Sequence, residues 1–112
     1  MRDIAMTSPI ATRTLRLLRG DGSEVEVRVT LGTPVPDPRD PKGTWACPYE
    51  IKGPVKRKIH AIFGVDSMQA LILAIHTLPA ELHALARQEG GRFLDEDDLK
   101  VDDACRANLG VR

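Results

Sequence analysis

Apolar residues along the chain fall into two periods, one helical and one strand-like. Between Val65 and Gly90, Met68, Leu71, Ile75, Leu78, Leu82 and Leu85 recur at alternating spacings of three and four, which draws one continuous apolar stripe on a helix. Asp66 stands at the N-cap position, and Gln69 is placed to reach back to the Asp66 backbone as in a capping box. Gly90 and Gly91 supply the stop, and Pro79 predicts a kink because it lacks an N–H and crowds the carbonyl four residues back. Ala70, Ile72, Leu73 and Ala74 widen the apolar arc in the first half, whereas Glu81, His83, Arg87 and Gln88 make the second half more polar. Burying the stripe is worth on the order of 10 kcal/mol gross, so the preceding chain must cover it.

That cover has period two. Arg13 to Arg19 and Glu24 to Leu31 alternate, with Leu15, Leu17, Val25, Val27, Val29 and Leu31 on one side. A three-residue loop, Gly20-Asp21-Gly22 with Gly22 left-handed, sets Leu17 against Val25, Leu15 against Val27 and Arg16 against Glu26, keeping every apolar residue on one face. A second hairpin pairs Trp45 to Ile51 with Lys56 to Phe63. A turn centred on Pro54 predicts Tyr49 opposite Ile59, Cys47 opposite Ala61 and Trp45 opposite Phe63, all facing the helix. Pro48 implies an unpaired side or a bulge in its strand. Gly32 to Gly43 holds four prolines and reads as a stiff, exposed connection; a proline-rich recognition arm is the alternative.

The fold expected is α+β: a four-stranded antiparallel meander of two hairpins, one face covered by the long, Pro79-kinked helix. Residues 1–11 read as a loose N-terminus, 12–91 as a single domain, and 92–112 as an acidic tail. Phe93, Leu94, Leu99 and Val101 of the tail are candidates to dock on the core, and Asp102 is placed to cap a short helix through Asn108.

With 112 residues, 42% apolar and 29% charged, the chain fits one soluble domain, and its net charge of zero favours neither a nucleic-acid binder nor a strongly acidic partner. The charge is uneven: residues 1–60 hold eleven Lys/Arg against seven Asp/Glu, and 61–112 hold five against nine. Cys47 and Cys105 form neither a metal-ligand spacing nor a disulfide framework, which fits a reducing compartment. No stretch reads as a signal peptide or a membrane span, so the expected location is the cytoplasm, away from membranes.

Trp45-Ala46-Cys47-Pro48-Tyr49-Glu50-Ile51-Lys52-Gly53 and Gly64-Val65-Asp66-Ser67-Met68-Gln69-Ala70-Leu71 carry a W-x-C-x-Y-x-I-x-G strand and a G-x-D-S-x-Q-A-L helix start. From Trp45 to about Leu85 the chain resembles a family of small bacterial domains of unknown function marked by those motifs. The resemblance implies a fold and brings no activity, cofactor or partner.

Cys47, His60 and Asp66 are the only set offering a nucleophile, a base and an orienting acid, but the expected register turns His60 away from Cys47. His76 and His83 lie seven apart on one helix side, whereas a helical metal pair is better served by four, so both read as surface or rim residues. No phosphate-binding glycine loop is present. Neither a catalytic residue nor a cofactor or metal site is expected. Lys52, Lys56, Arg57 and Lys58 concentrate positive charge at the second hairpin tip, the feature a weak nucleic-acid contact needs. Asp95, Glu96, Asp97, Asp98, Asp102 and Asp103 form an acidic pole able to neutralise it. The expected function is a non-enzymatic interaction or regulatory module, binding another protein or a second copy through an edge strand and the uncovered sheet face. Arg16, Glu26, Arg28, Lys52, Lys56, Arg57 and Lys58 are the candidate partner surface.

Overall fold

Gly22 adopts φ +89° and its N–H reaches the Arg19 carbonyl, while Asp21 accepts hydrogen bonds from the Ser23 backbone and hydroxyl. This closed loop fixes the first hairpin. In a computed structural model that describes residues 5–53 and 57–94, it joins β1 (Pro9–Leu18) to β2 (Glu24–Gly32) with Leu17 opposite Val25, Leu15 opposite Val27 and Arg16 opposite Glu26, as the alternation requires. Pro9 pairs with Gly32 and Ala11 with Leu31, so residues 9–11, expected in a loose N-terminus, belong to the strand. The residues before them are also held: Thr7 donates its hydroxyl to the Thr33 carbonyl, and the Thr33 amide donates to Ser8.

The remaining strands are β3 (Val35–Pro36), β4 (Trp45–Lys52), β5 (Arg57–Gly64) and β6 (Arg92–Phe93), with α1 spanning Ser67–Gln88. Among the described residues the sheet has six strands rather than four, because two strands of two residues each, too short to show a period, attach to the meander. Strand β6 pairs with β1 at Leu17 and Leu18, β1 with β2, β2 with β4, and β4 with β5. The far flank of β4 is shared: β3 pairs with Trp45 and Ala46, β2 with Tyr49 to Lys52, and Pro48, which has no N–H to give, falls between them.

Helix α1 runs unbroken through Pro79. Asp66 caps it by accepting the Gln69 N–H at 2.7 Å, but the Gln69 side chain accepts from Val65 rather than Asp66, one residue earlier than expected. At its end Gly90, φ +66°, donates to the Arg87 carbonyl and Gly91 to Ala86, the paired bonds of a Schellman stop. The buried line of the helix is Ala70, Ala74, Leu82 and Ala86, flanked by half-buried Leu71, Ile75, Leu78 and Leu85. Met68, expected in the stripe, is 65% exposed. Alanines occupy the line because they let the helix backbone approach the sheet; larger side chains fit only at its flanks.

Both helix ends are pinned. Gly64 abuts Ala70 at the start, and at the finish Gly91 passes the Leu18 backbone while Arg19 pairs with Glu89 at 2.9 Å. Phe93 then enters the core at 1% exposure beside Leu15, Leu17, Val27, Cys47 and Tyr49. It thereby fulfils one expectation for the tail, while residues 92–94 join the sheet rather than standing outside it. Leu99, Val101 and the expected short helix after Asp102 lie outside the described residues.

Candidate docking edge

The second hairpin is paired one residue out of the expected register. Tyr49 faces His60, Cys47 faces Ile62 and Trp45 faces Gly64, not Ile59, Ala61 and Phe63. Lys52 meets Arg57, so four residues rather than the expected three separate the paired strands. Because side chains alternate with period two, a slip of one turns every residue of β5 over. The cause is the helix start. A Cβ on Gly64 would stand 2.5 Å from the Ala70 nitrogen, so only a glycine fits opposite Trp45 beneath α1, where the expected register would place Phe63.

The slip moves Ile59, Ala61 and Phe63 to the face away from the helix. Ile59 and Ala61 are half-exposed and Phe63 is 42% exposed, with the Arg39 guanidinium 5.6 Å from its ring centre. Val65 at 76% and Met68 at 65% continue the apolar strip across the β5–α1 corner. Among the described residues no strand pairs with the free edge of β5. An edge strand presents unpaired backbone donors and acceptors, and here they run beside a row of apolar side chains.

The candidate partner surface is divided. Arg16 lies opposite Glu26 and 3.9 Å from Glu24 on the outer face. Arg28, Lys52 and Arg57 form one cross-strand row there, and Arg57 pairs with Glu50. Val25, Glu26, Arg28, Lys52 and Gly53 line an open groove of about 450 Å³. Lys58 does not join them: the slip turns it to the helix side, 3.8 Å from Glu81. Lys56 lies outside the described residues.

A family model described as a domain of unknown function, DUF6968, matches residues 11–102. The chain belongs to the DUF6968 family. The match begins inside β1 and ends beyond β6, well past the Trp45 to Leu85 stretch that carries the motifs. No curated protein and no solved structure matches the chain.

Under its helix this DUF6968 domain holds a small polar group. Tyr49, 1% exposed, donates its hydroxyl to Glu81 at 3.4 Å, and burial, reinforced by the Glu81 charge, pushes its pKa up to about 12. His60 stacks on Tyr49 with ring centres 5.6 Å apart. His60 thus shares a face with Cys47, contrary to the expected register. The Cys47 thiol still offers no nucleophile: it is fully buried, its Sγ lies 3.4 Å from the Gly32 carbonyl, and burial raises its pKa. Asp66 is committed to the helix cap. His76 and His83 are half-buried, and among the described residues no three His, Cys, Asp or Glu side chains converge as metal ligands. No helix among those residues is long and apolar enough to cross a membrane.

The outward strip on β5 escaped sequence reasoning because Ile59 and Phe63 satisfied an apolar pattern in the wrong register. Gly64, a glycine between a strand and a capped helix start, was the signal able to correct it.

Proposed function

We propose that this DUF6968 domain is a non-enzymatic association module of the cytoplasm that joins another polypeptide to its sheet along β5. The observation carrying this reading is the outward row Ile59, Ala61 and Phe63 on an eight-residue strand with one unpaired edge among the described residues. Strand addition draws affinity from backbone hydrogen bonds and specificity from alternate side chains, and both are present along β5. The helix has less to offer, since Ala70, Ala74, Leu82 and Ala86 are already committed to the core. A photo-crosslinking residue at position 63, with one at position 14 as control on the same sheet face, tests the proposal in purified protein and in native lysate. Adducts at 63 that are absent at 14 and abolished by Ile59→Lys support it. No adduct at 63, or equal adducts at both positions, contradicts it.

A second reading rests on the Arg28, Lys52 and Arg57 row, which sets like charges directly opposite one another and so favours an anionic ligand such as a nucleic-acid backbone. Binding of a single-stranded oligonucleotide that weakens steeply with salt and is lost in Arg28→Glu would favour it.

A further inference from the structure

The strip on β5 is self-complementary, and we infer that its partner is a second copy of this chain, paired β5 to β5 in antiparallel about a two-fold axis at Ala61. This rests on the reading of β5 as the docking edge and names what docks there.

In an isologous antiparallel pair one residue faces its own copy, and residues equally far on either side face each other. Two axes keep seven of the eight residues Arg57–Gly64 paired. An axis at His60 sets Arg57 against the partner's Phe63, Lys58 against the partner's Ile62, and His60 against itself. An axis at Ala61 sets Ile59 against the partner's Phe63, Ala61 against itself and Phe63 against the partner's Ile59. On the helix side it sets His60 against the partner's Ile62 and Lys58 against the partner's Gly64.

Only the second makes every outer pair apolar and opposes no like charges. It forms a β-branched–aromatic pair twice, the kind that stabilises a sheet, with a small residue at the centre. Arg57, already paired with Glu50, stays outside the overlap. A chain with zero net charge also meets no long-range repulsion from its copy. The axis is perpendicular to the sheet, so the two helices lie on the same face of one continuous sheet.

The geometry permits a direct test in the 112-residue chain carrying Cys105→Ser, in which the remaining native thiol, Cys47, is fully buried. Directly opposed residues in an antiparallel pair stand about 4.5–5.5 Å apart at Cα, within disulfide range. Ala61→Cys is therefore expected to give a disulfide-linked dimer under mild oxidation. Ile59→Cys alone is expected to stay unlinked, and Ile59→Cys with Phe63→Cys to link again. Light scattering of the Cys105→Ser parent is expected to give twice the chain mass, falling to one chain mass in Phe63→Lys. Linking through His60→Cys but not Ala61→Cys overturns the axis. A parent that stays monomeric to high concentration overturns the second copy altogether. Adducts from position 63 to a different polypeptide then still uphold β5 as the docking edge, whereas their absence removes that reading too.

Discussion

Gly64 sits so close to Ala70 that a Cβ on Gly64 would come within 2.5 Å of the Ala70 nitrogen. This contact sets the register of β5 and so decides which side chains the domain turns outward. Gly64→Ala forces the helix start away from the sheet, at an expected cost of about 1–3 kcal/mol. A denaturant titration of wild type and variant checks it; equal midpoints would mean that the helix is free to shift.

The helix face can be tested by opposing two positions. Ala74 is fully buried and Met68 is 65% exposed, although the apolar period assigns Met68 to the stripe. Ala74→Leu is expected to cost about 1–3 kcal/mol by overpacking, and Met68→Ala less than about 0.5 kcal/mol. The reverse order in thermal melts would restore the leucine-centred stripe.

Tyr49 gives the stability a pH dependence. Its pKa is raised by burial and by Glu81 to about 12, above the ordinary value of 10.0, so the folded state holds its proton more tightly. The resulting stability is complete below pH 10 and is lost as pH rises through about 12. Chemical unfolding between those values is expected to show a steep decline in wild type and a shallower one in Tyr49→Phe. Parallel slopes would refute the assignment.

Cys47 is expected to resist alkylation in the native protein and to react on unfolding, because burial keeps the thiol protonated and out of reach. In Cys47→Ser the hydroxyl inherits the Gly32 carbonyl as acceptor, so the loss is expected near 1 kcal/mol rather than the larger cost of an unpaired buried hydroxyl. Rapid labelling of the folded protein would place Cys47 at the surface.

The first hairpin was legible because its strands alternate without ambiguity and the Gly20–Gly22 loop admits one register that keeps the leucines and valines together. The second was not. Ile59, Ala61 and Phe63 lie on one side of β5 and Ile62 on the other, so both registers bury apolar residues and period two alone cannot choose. Tertiary contact chose, through Gly64. The helix bounds were written in Asp66, Gly90 and Gly91, but its buried line was not. A hydrophobicity pattern weights leucine over alanine, whereas close approach to a sheet selects the smaller residue. Strand β6 is two residues long and has no period to read. The candidate docking edge on β5 followed the register error and was hidden with it.

Amide hydrogen exchange along β5, followed from dilute to concentrated purified protein, tests the central claim most directly. The outward-pointing amides of Arg57–Gly64 are expected to gain protection with concentration, while those of residues 10–16 on β1 keep their dilute rates. Exchange along β5 that ignores concentration, or protection that appears on β1 or α1 instead, would contradict the claim that β5 is the edge through which this domain associates.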